Sequence, residues 1–123
     1  MKQEHRMTFT FDALIDQIIE GRKTATVERI EEQGYLDEWD TGLGIGYVYI
    51  VHDSQRIPRC RIRVIKLELC RWDDIPEWLW RGETNQNAEE FRVDHLDYFD
   101  HPDDGFAFIG VLFELVEVLG PSD

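Results

Sequence analysis

The first apolar pattern in the chain has the period of a helix. In residues 11–20 (FDALIDQIIE), apolar positions recur every three or four residues and predict one buried helix face. The positions on this face are Leu14, Ile15, Ile18 and Ile19. Asp12 is expected to cap the start of the helix. Gly21 stands where helices commonly end in a left-handed residue.

Four later stretches have the composition of strands. Residues 24–30 are rich in β-branched side chains, and YVYIVH follows Gly46. After a turn at DSQ, a long strand is expected over about residues 56–69. The nearly apolar run FAFIGVLFELVEVL predicts one or two closing strands, with Gly110 a candidate β-bulge.

Helices are predicted between these strands. A short helix that runs through Trp80 is predicted from Asp73, Asp74 and Pro76. A longer helix is expected over about residues 88–98, whereas the acidic segment 31–44 is typical of a surface loop or a short helix. This order of elements predicts the α+β class. It suits a small mixed β-barrel with flanking helices, although periodicity alone does not establish closure of a barrel.

Composition is consistent with one folded domain. We expect a single domain over residues 1–123, with 119–123 as a tail. The net charge of −13 argues against a surface that binds nucleic acid generally, but it is compatible with a small basic pocket. No run of about 18 apolar residues and no apolar signal region is present, so neither a membrane span nor a leader is expected.

The two cysteines are expected to be free thiols. Cys60 and Cys70 would lie roughly 33 Å apart along one extended strand, which is too far for a disulfide. Unpaired thiols fit a reducing compartment and favour a cytoplasmic location.

Basic residues alternate along the long strand. Arg59, Arg61 and Arg63 share one face, and Cys60, Ile62 and Val64 share the other. The basic face could contact phosphates, or it could be a solvated face paired with acids on the neighbouring strand. The acidic composition of the chain favours the second interpretation.

Several other residue types carry weaker signals. His95 lies on the apolar stripe of the predicted long helix and is more typical of a packed histidine than of a catalytic one. Tryptophans such as Trp78 could stack a base, although most tryptophans are core residues. The histidines and acids have no metal-ligand spacing, so we expect neither a metal nor a cofactor.

The hexapeptide GRKTAT joins the first helix to the next strand. Lys23 could hold a substrate charge, or act as a base if burial lowered its pKa from near 10.4. The hydroxyl of Thr26 becomes a nucleophile only when a neighbouring base takes its proton. An ordinary turn with an exposed lysine would have the same spacing.

GRKTAT, together with GETNQNAEEFRVDHLDYF at residues 82–99, resembles the activating signal cointegrator homology (ASCH) family. Gly21, Lys23 and Thr26 match its G-x-K-x-x-T-x-R motif, but Glu28 occupies the position of the final arginine and Arg29 comes one residue later. The second block matches at Gly82, Glu83, Phe91, Arg92, His95, Tyr98 and Phe99. The resemblance covers about residues 8–118.

The resemblance implies a PUA-like fold and ligands such as RNA or modified nucleosides. Some small bacterial family members remove the acetyl group of N4-acetylcytidine, which implies Lys23, Thr26 and Glu83 as catalytic residues. Another member is described as a ribonuclease, so an RNA-binding or RNA-cleaving domain remains the alternative. The candidate substrate-binding residues are Arg29, Arg61, Arg63, Tyr47 and Trp78.

A carboxylate beside Lys23 would favour its ammonium form and oppose its use as a base. Lys23 would therefore need strong desolvation, or a Glu83 that is protonated or set back from the amine. Otherwise Lys23 would act as an electrostatic clamp on the developing oxyanion.

Overall fold

A computed structural model describes residues 5–9, 11–29 and 44–119 of the chain. The five strands are β1 (His5–Met7), β2 (Ala25–Glu28), β3 (Val48–His52), β4 (Pro58–Arg71) and β5 (Ala107–Val118). The three helices are α1 (Asp12–Ile19), α2 (Glu77–Gly82) and α3 (Ala88–His95). Apart from Gly44, the acidic segment predicted as a loop or short helix lies outside these residues. The same is true of positions 120–123 of the predicted tail, whereas Leu119 donates its backbone N–H to Arg59 O at 2.8 Å.

The strands form one mixed sheet in the order β1-β3-β4-β5-β2. β1 runs parallel to β3, and the other three pairings are antiparallel. The predicted α+β class, mixed sheet and flanking helices are confirmed. The two long strands bend at two positions that the ladder skips, Ile65 on β4 and Val116 on β5.

Two apolar clusters lie against the sheet. α1 contributes Ile15 and Ile18 to the first, which also contains the fully buried Cys60, Ile62 and Val64 of β4. The predicted division of β4 into a buried and a basic face is therefore correct. The second cluster lies beneath α2 and α3 and is rich in aromatic side chains, including Trp72, Phe91, Phe99 and Phe108. The described helices include none that is long and apolar enough to cross a bilayer.

The start of α1 differs from the prediction. Its N-cap residue is Phe11, with no capping side chain, and Asp12 is the first helical residue. The Asp12 carboxylate instead accepts hydrogen bonds from the Ser54 backbone N–H at 2.9 Å and the Ser54 hydroxyl at 2.8 Å. Asp12 therefore ties α1 to the β3–β4 turn rather than to its own backbone.

Gly110 is not a β-bulge, so that prediction was wrong. It pairs regularly with Val27 of β2 and Glu68 of β4. Its role is spatial, because a Cβ atom there would lie 3.0 Å from Cys70 Sγ and 3.1 Å from Trp78 Cη2. The missing side chain lets α2 pack directly on β5.

We expect Gly110→Ala to destabilise the fold by about 1–3 kcal/mol, because overpacking must displace the Cys70 and Trp78 side chains. Urea unfolding would measure the difference. Gly105→Ala is the matched control, since a Cβ at Gly105 meets no atom within 4 Å. Equal stability of the two variants would contradict the proposed packing role of Gly110.

Candidate functional site

A cavity of about 670 Å³ opens between the two edges of the sheet. One wall comes from Met7, Thr8 and Phe9 at the end of β1, and the opposite wall comes from residues 26–28 of β2. The remaining lining includes side chains of α1, of α3 and of the segment that follows α2. Because β1 and β2 are the first and last strands of the sheet, the sheet curls until its edges face each other across this cavity.

Lys23 lies buried at the wall of the cavity. Only 2% of the residue is exposed. Its Nζ donates to Glu83 Oε1 at 2.5 Å and to the backbone carbonyl of Ala25 at 2.7 Å. Nζ also lies 5.6 Å from the centroid of the Phe9 ring. Burial of a charged group requires partners of this kind, since an unpaired ammonium in a low dielectric is strongly unfavourable.

The end of α1 directs Lys23 inward. Gly21 has a φ of +85°, as the sequence predicted for the residue after the helix. The N–H groups of Gly21 and Arg22 donate to the carbonyls of Ile18 and Gln17, the pattern of a Schellman motif. The Lys23 N–H also donates to Gln17 O at 3.1 Å. This turn fixes the direction of the chain two residues before β2.

Glu83 is positioned by the end of α2 through a second Schellman motif. Glu83 is the C-cap residue, and Thr84 follows in the left-handed region with a φ of +69°. The N–H groups of Thr84 and Asn85 donate to the carbonyls of Arg81 and Trp80. Glycine usually occupies the left-handed position of this motif, so the β-branched Thr84 is strained there.

Gly82 lets the two motifs meet. Its carbonyl accepts the Thr24 N–H at 2.9 Å. A Cβ atom at Gly82 would lie 2.5 Å from the Ala25 Cβ, closer than any real contact. The lack of a side chain therefore allows the end of α2 to approach the start of β2, and Glu83 then reaches Lys23.

Glu83 also contacts a third ionisable group. Its side chain is 8% exposed, and Oε2 lies 3.2 Å from Nε2 of His95 on α3. Burial alone would raise the pKa of Glu83, but the charges and hydrogen bonds of Lys23 and His95 outweigh it and hold the pKa below its usual range. Glu83 is therefore an ionised carboxylate between two nitrogen groups.

The structure brings Thr26 to the same cavity as Lys23 and Glu83. Thr26 is half-buried in β2, and its backbone pairs with Val111 of β5. A residue held in a ladder has a fixed backbone, so the Thr26 side chain has a defined direction. The three residues singled out in the sequence therefore share one site.

Arg29 lies beside this cavity. Its guanidinium lies 5.2 Å from the ring centroid of Tyr98, which lines the cavity, and donates to the Tyr98 backbone carbonyl. Glu28, at the position of the motif's arginine, lines the cavity itself.

The other candidate binding residues lie elsewhere. Arg61 and Arg63 pair across the β4–β5 ladder with Glu117 and Glu114, at 2.8 Å and 2.7 Å. This arrangement is the acid-paired face weighed as one interpretation of the basic stripe. Tyr47 stacks on His5 with ring centroids 4.7 Å apart. Trp78 packs against Gly110, with Lys66 Nζ 4.7 Å from its ring centroid.

His95 is the residue that sequence reasoning undervalued. The sequence favoured a packed histidine, and the ring does stack on Phe91 with centroids 4.0 Å apart. The same ring, with a side chain 14% exposed, also reaches Glu83 and lines the cavity. His95 matches the second block of the family motif, as Glu83 does, but neither the block nor the helical spacing of Phe91 and His95 indicated the contact between them.

The cysteines offer no nucleophile to this site. Cys60 and Cys70 are free and buried, as the sequence predicted for a pair too distant to bridge. Burial raises the pKa of each thiol to about 11, which keeps both protonated at neutral pH. Within the described ranges, no three His, Cys, Asp or Glu side chains are grouped to hold a metal ion.

The strain at Thr84 predicts a stabilising substitution. Thr84→Gly should raise the free energy of unfolding by about 1 kcal/mol, because glycine adopts a positive φ without a Cβ clash. Urea unfolding would measure the change. Thr24→Gly, in an extended segment, should instead lower the free energy of unfolding, because glycine increases the conformational entropy of the unfolded chain. Destabilisation by Thr84→Gly would mean that the Thr84 side chain makes contacts that outweigh the strain.

The lowered pKa of Glu83 predicts a contribution to acid stability. This contribution is present above the unfolded value near 4.5 and is lost as pH falls through the lower folded value. In acid, Glu83→Gln should therefore reduce the slope of the unfolding free energy against pH by at most about 1.4 kcal/mol per pH unit. Urea unfolding between pH 7 and pH 3 would measure the slopes. Glu77→Gln, which removes an exposed carboxylate paired with Arg81, is the matched control. Parallel curves for wild type and Glu83→Gln would contradict this role.

Comparison with known proteins places the chain in a family. The sequence model of the ASCH domain matches residues 5–107. No curated protein sequence matches the chain. Two solved structures are similar, each with a TM-score of 0.71. One is an ASCH domain from Lactobacillus crispatus JV V101, with 16% identity over 86% of this chain and 72% of that one. The other is protein EF3133 from Enterococcus faecalis V583, with 19% identity over 96% and 80%. The chain therefore belongs to the ASCH domain family, with the PUA-like fold that its sequence motifs predicted.

Proposed function

We propose that this protein is an amidohydrolase that deacetylates nucleosides of the N4-acetylcytidine type. The observation that carries the proposal is the convergence of the buried Lys23–Glu83 pair and the Thr26 side chain at one cavity. Its volume, about 670 Å³, lies in the range of sites for small molecules. Buried ionisable groups in a cleft are typical of catalytic sites.

In the proposed reaction, the Thr26 oxygen attacks the acetamide carbonyl carbon while Lys23 accepts the hydroxyl proton. The resulting tetrahedral intermediate collapses with cleavage of the C–N bond, and the cytosine amine takes the proton from Lys23. Water then attacks the acetyl ester on Thr26 and gives its proton to Lys23. The second intermediate collapses to acetic acid, which ionises to acetate in solvent, and Thr26 takes its proton back from Lys23, so the enzyme returns to its starting state.

The geometry narrows the ways in which Lys23 could act as a base. Glu83 is not set back, because its Oε1 lies 2.5 Å from Nζ, and the lowered pKa of Glu83 argues against a protonated carboxyl. To accept the Thr26 proton, Lys23 must be the neutral amine when the reaction begins. A neutral amine would donate its two N–H groups to Glu83 and Ala25 O and keep its lone pair for the Thr26 proton. As an ammonium, Lys23 would instead stabilise the oxyanion.

The charge around the cavity favours an uncharged nucleoside over a phosphorylated ligand. Glu28, Asp94 and Asp97 line the cavity in addition to Glu83. Carboxylates near a phosphate repel it, particularly where low-dielectric walls focus the field. A neutral acetylated nucleoside lacks this penalty.

The RNA-binding alternative has less support. It depends on the basic stripe, but Arg61 and Arg63 form ion pairs with acids of β5. The net charge of −13 also opposes binding to a polyanion.

We propose a cytoplasmic reaction, because the free thiols Cys60 and Cys70 suit a reducing compartment.

The decisive test uses purified protein and N4-acetylcytidine, with acetate and cytidine measured as products. Thr26→Val preserves the branched shape suited to β2 but removes the nucleophile, so turnover should fall on the order of 10³-fold or more. Thr24→Val is the matched control, since Thr24 is exposed two residues earlier and does not line the cavity. Unchanged unfolding midpoints would confirm that both variants fold.

Two results would reject the proposal. One is the absence of turnover by the wild-type protein across a panel of acylated cytidines. The other is full activity of Thr26→Val, which would exclude Thr26 as the nucleophile.

A further inference from the structure

The His95 ring has two hydrogen-bond contacts, and both partners are acceptors. Nδ1 lies 2.8 Å from the backbone carbonyl oxygen of Phe91, which can only accept. Nε2 lies 3.2 Å from Oε2 of Glu83, which is also an acceptor when the carboxylate is ionised. The ring also stacks on Phe91, with centroids 4.0 Å apart, which holds its plane between the two contacts.

A neutral imidazole cannot satisfy both contacts. It carries one N–H, so either tautomer sets one ring nitrogen lone pair against an oxygen lone pair. In a buried site, an unsatisfied polar contact of this kind is costly. The two remaining solutions are a doubly protonated ring or a protonated Glu83. Glu83 already accepts from Lys23 through Oε1 at 2.5 Å, which favours the carboxylate over the acid.

We propose that His95 is an imidazolium in the resting protein, donating Nδ1–H to Phe91 O and Nε2–H to Glu83 Oε2. His95 then balances the charge of Glu83 from the side opposite Lys23. The carboxylate thus keeps a cationic partner at the step of the proposed reaction in which Lys23 is the neutral amine. His95 is thus a positioning residue, which acts on the reaction through Glu83 and Lys23.

The surroundings of His95 favour its positive charge. The ionisable groups that share its cavity are Glu83 from the end of α2, Lys23 before β2, Glu28 of β2, Asp94 on α3, and Asp97 and Tyr98 after α3. Carboxylates outnumber amines in this set. A cation is stabilised by nearby carboxylates, and here one of them is in direct contact.

This arrangement also answers the chemical objection to Lys23 as a base. A lone carboxylate at 2.5 Å would hold the proton on Lys23, but a carboxylate that already shares a proton from His95 attracts Lys23 less strongly. The role of His95 in catalysis rests on the proposed amidohydrolase function. The number of protons on its ring does not, because it follows from the contacts alone.

The first experiment observes the ring directly by NMR of protein labelled with ¹⁵N and ¹³C in histidine. We expect both His95 ring nitrogens to carry protons at neutral pH. The ring signals of the exposed His101 serve as an internal reference in the same spectrum. Glu83→Gln is the matched variant, because its side-chain amide can donate to Nε2 while its oxygen accepts from Lys23. His95 should then carry one proton, on Nδ1. A singly protonated His95 in the wild type would overturn the proposal whether or not the protein is an enzyme.

The second experiment tests the catalytic consequence with His95→Gln, which can donate to Glu83 but carries no charge. If the wild type releases acetate, the variant should lose at least about tenfold in turnover near neutral pH, and its pH profile should move to higher pH. A pH profile of unchanged position would overturn the positioning role. A wild type without acetate release would reject the amidohydrolase, and the NMR result would stand separately.

Discussion

The buried ion pair of Lys23 and Glu83 is the interaction on which the arrangement of this molecule depends. Removing two charges from water costs several kcal/mol each, and their attraction offsets this only when every remaining polar atom has a partner. Here Ala25 O takes a second Lys23 hydrogen, and His95 contacts the second oxygen of Glu83. Such a pair is weak evidence for stability, because well-packed apolar residues often serve a fold better. Its presence at the wall of a cavity is more readily explained by chemistry.

The backbone around the pair is organised to bring together residues that are sixty positions apart. Each partner is positioned by a Schellman motif, with Gly21 in the left-handed position after α1 and Thr84 after α2. The two helix ends are then joined by the hydrogen bond from Thr24 N to Gly82 O. The two glycines of the motifs thus have physical roles: Gly21 supplies a positive φ, and Gly82 permits a close approach.

Much of the fold follows from local patterns in the sequence. The 3.6-residue period of α1, the alternation of buried and basic residues on β4 and the left-handed Gly21 all depend on a few neighbouring residues, and each is present in the structure. β1 was not predicted, because three residues carry too little periodicity and its pairing with β3 is between distant segments. Asp12 and Gly110 were misassigned for the same reason, since their partners, Ser54 and Cys70, are distant in sequence.

The candidate site likewise combines residues that the sequence indicated with a contact that it did not. Lys23, Thr26 and Glu83 were indicated by the resemblance of two motifs to the ASCH family. His95 belongs to the second motif as well, but nothing in that motif indicated its contact with Glu83. Yet this last contact, together with the charge of Lys23, holds the pKa of Glu83 below its usual range. With His95 as an imidazolium, Glu83 has a cationic partner that does not take part in the reaction, so a proton can move on and off Lys23 while the carboxylate stays compensated. In the proposed reaction, two cations would flank one carboxylate when Lys23 holds the Thr26 proton, and this local excess of positive charge would be available to an oxyanion forming in the cavity.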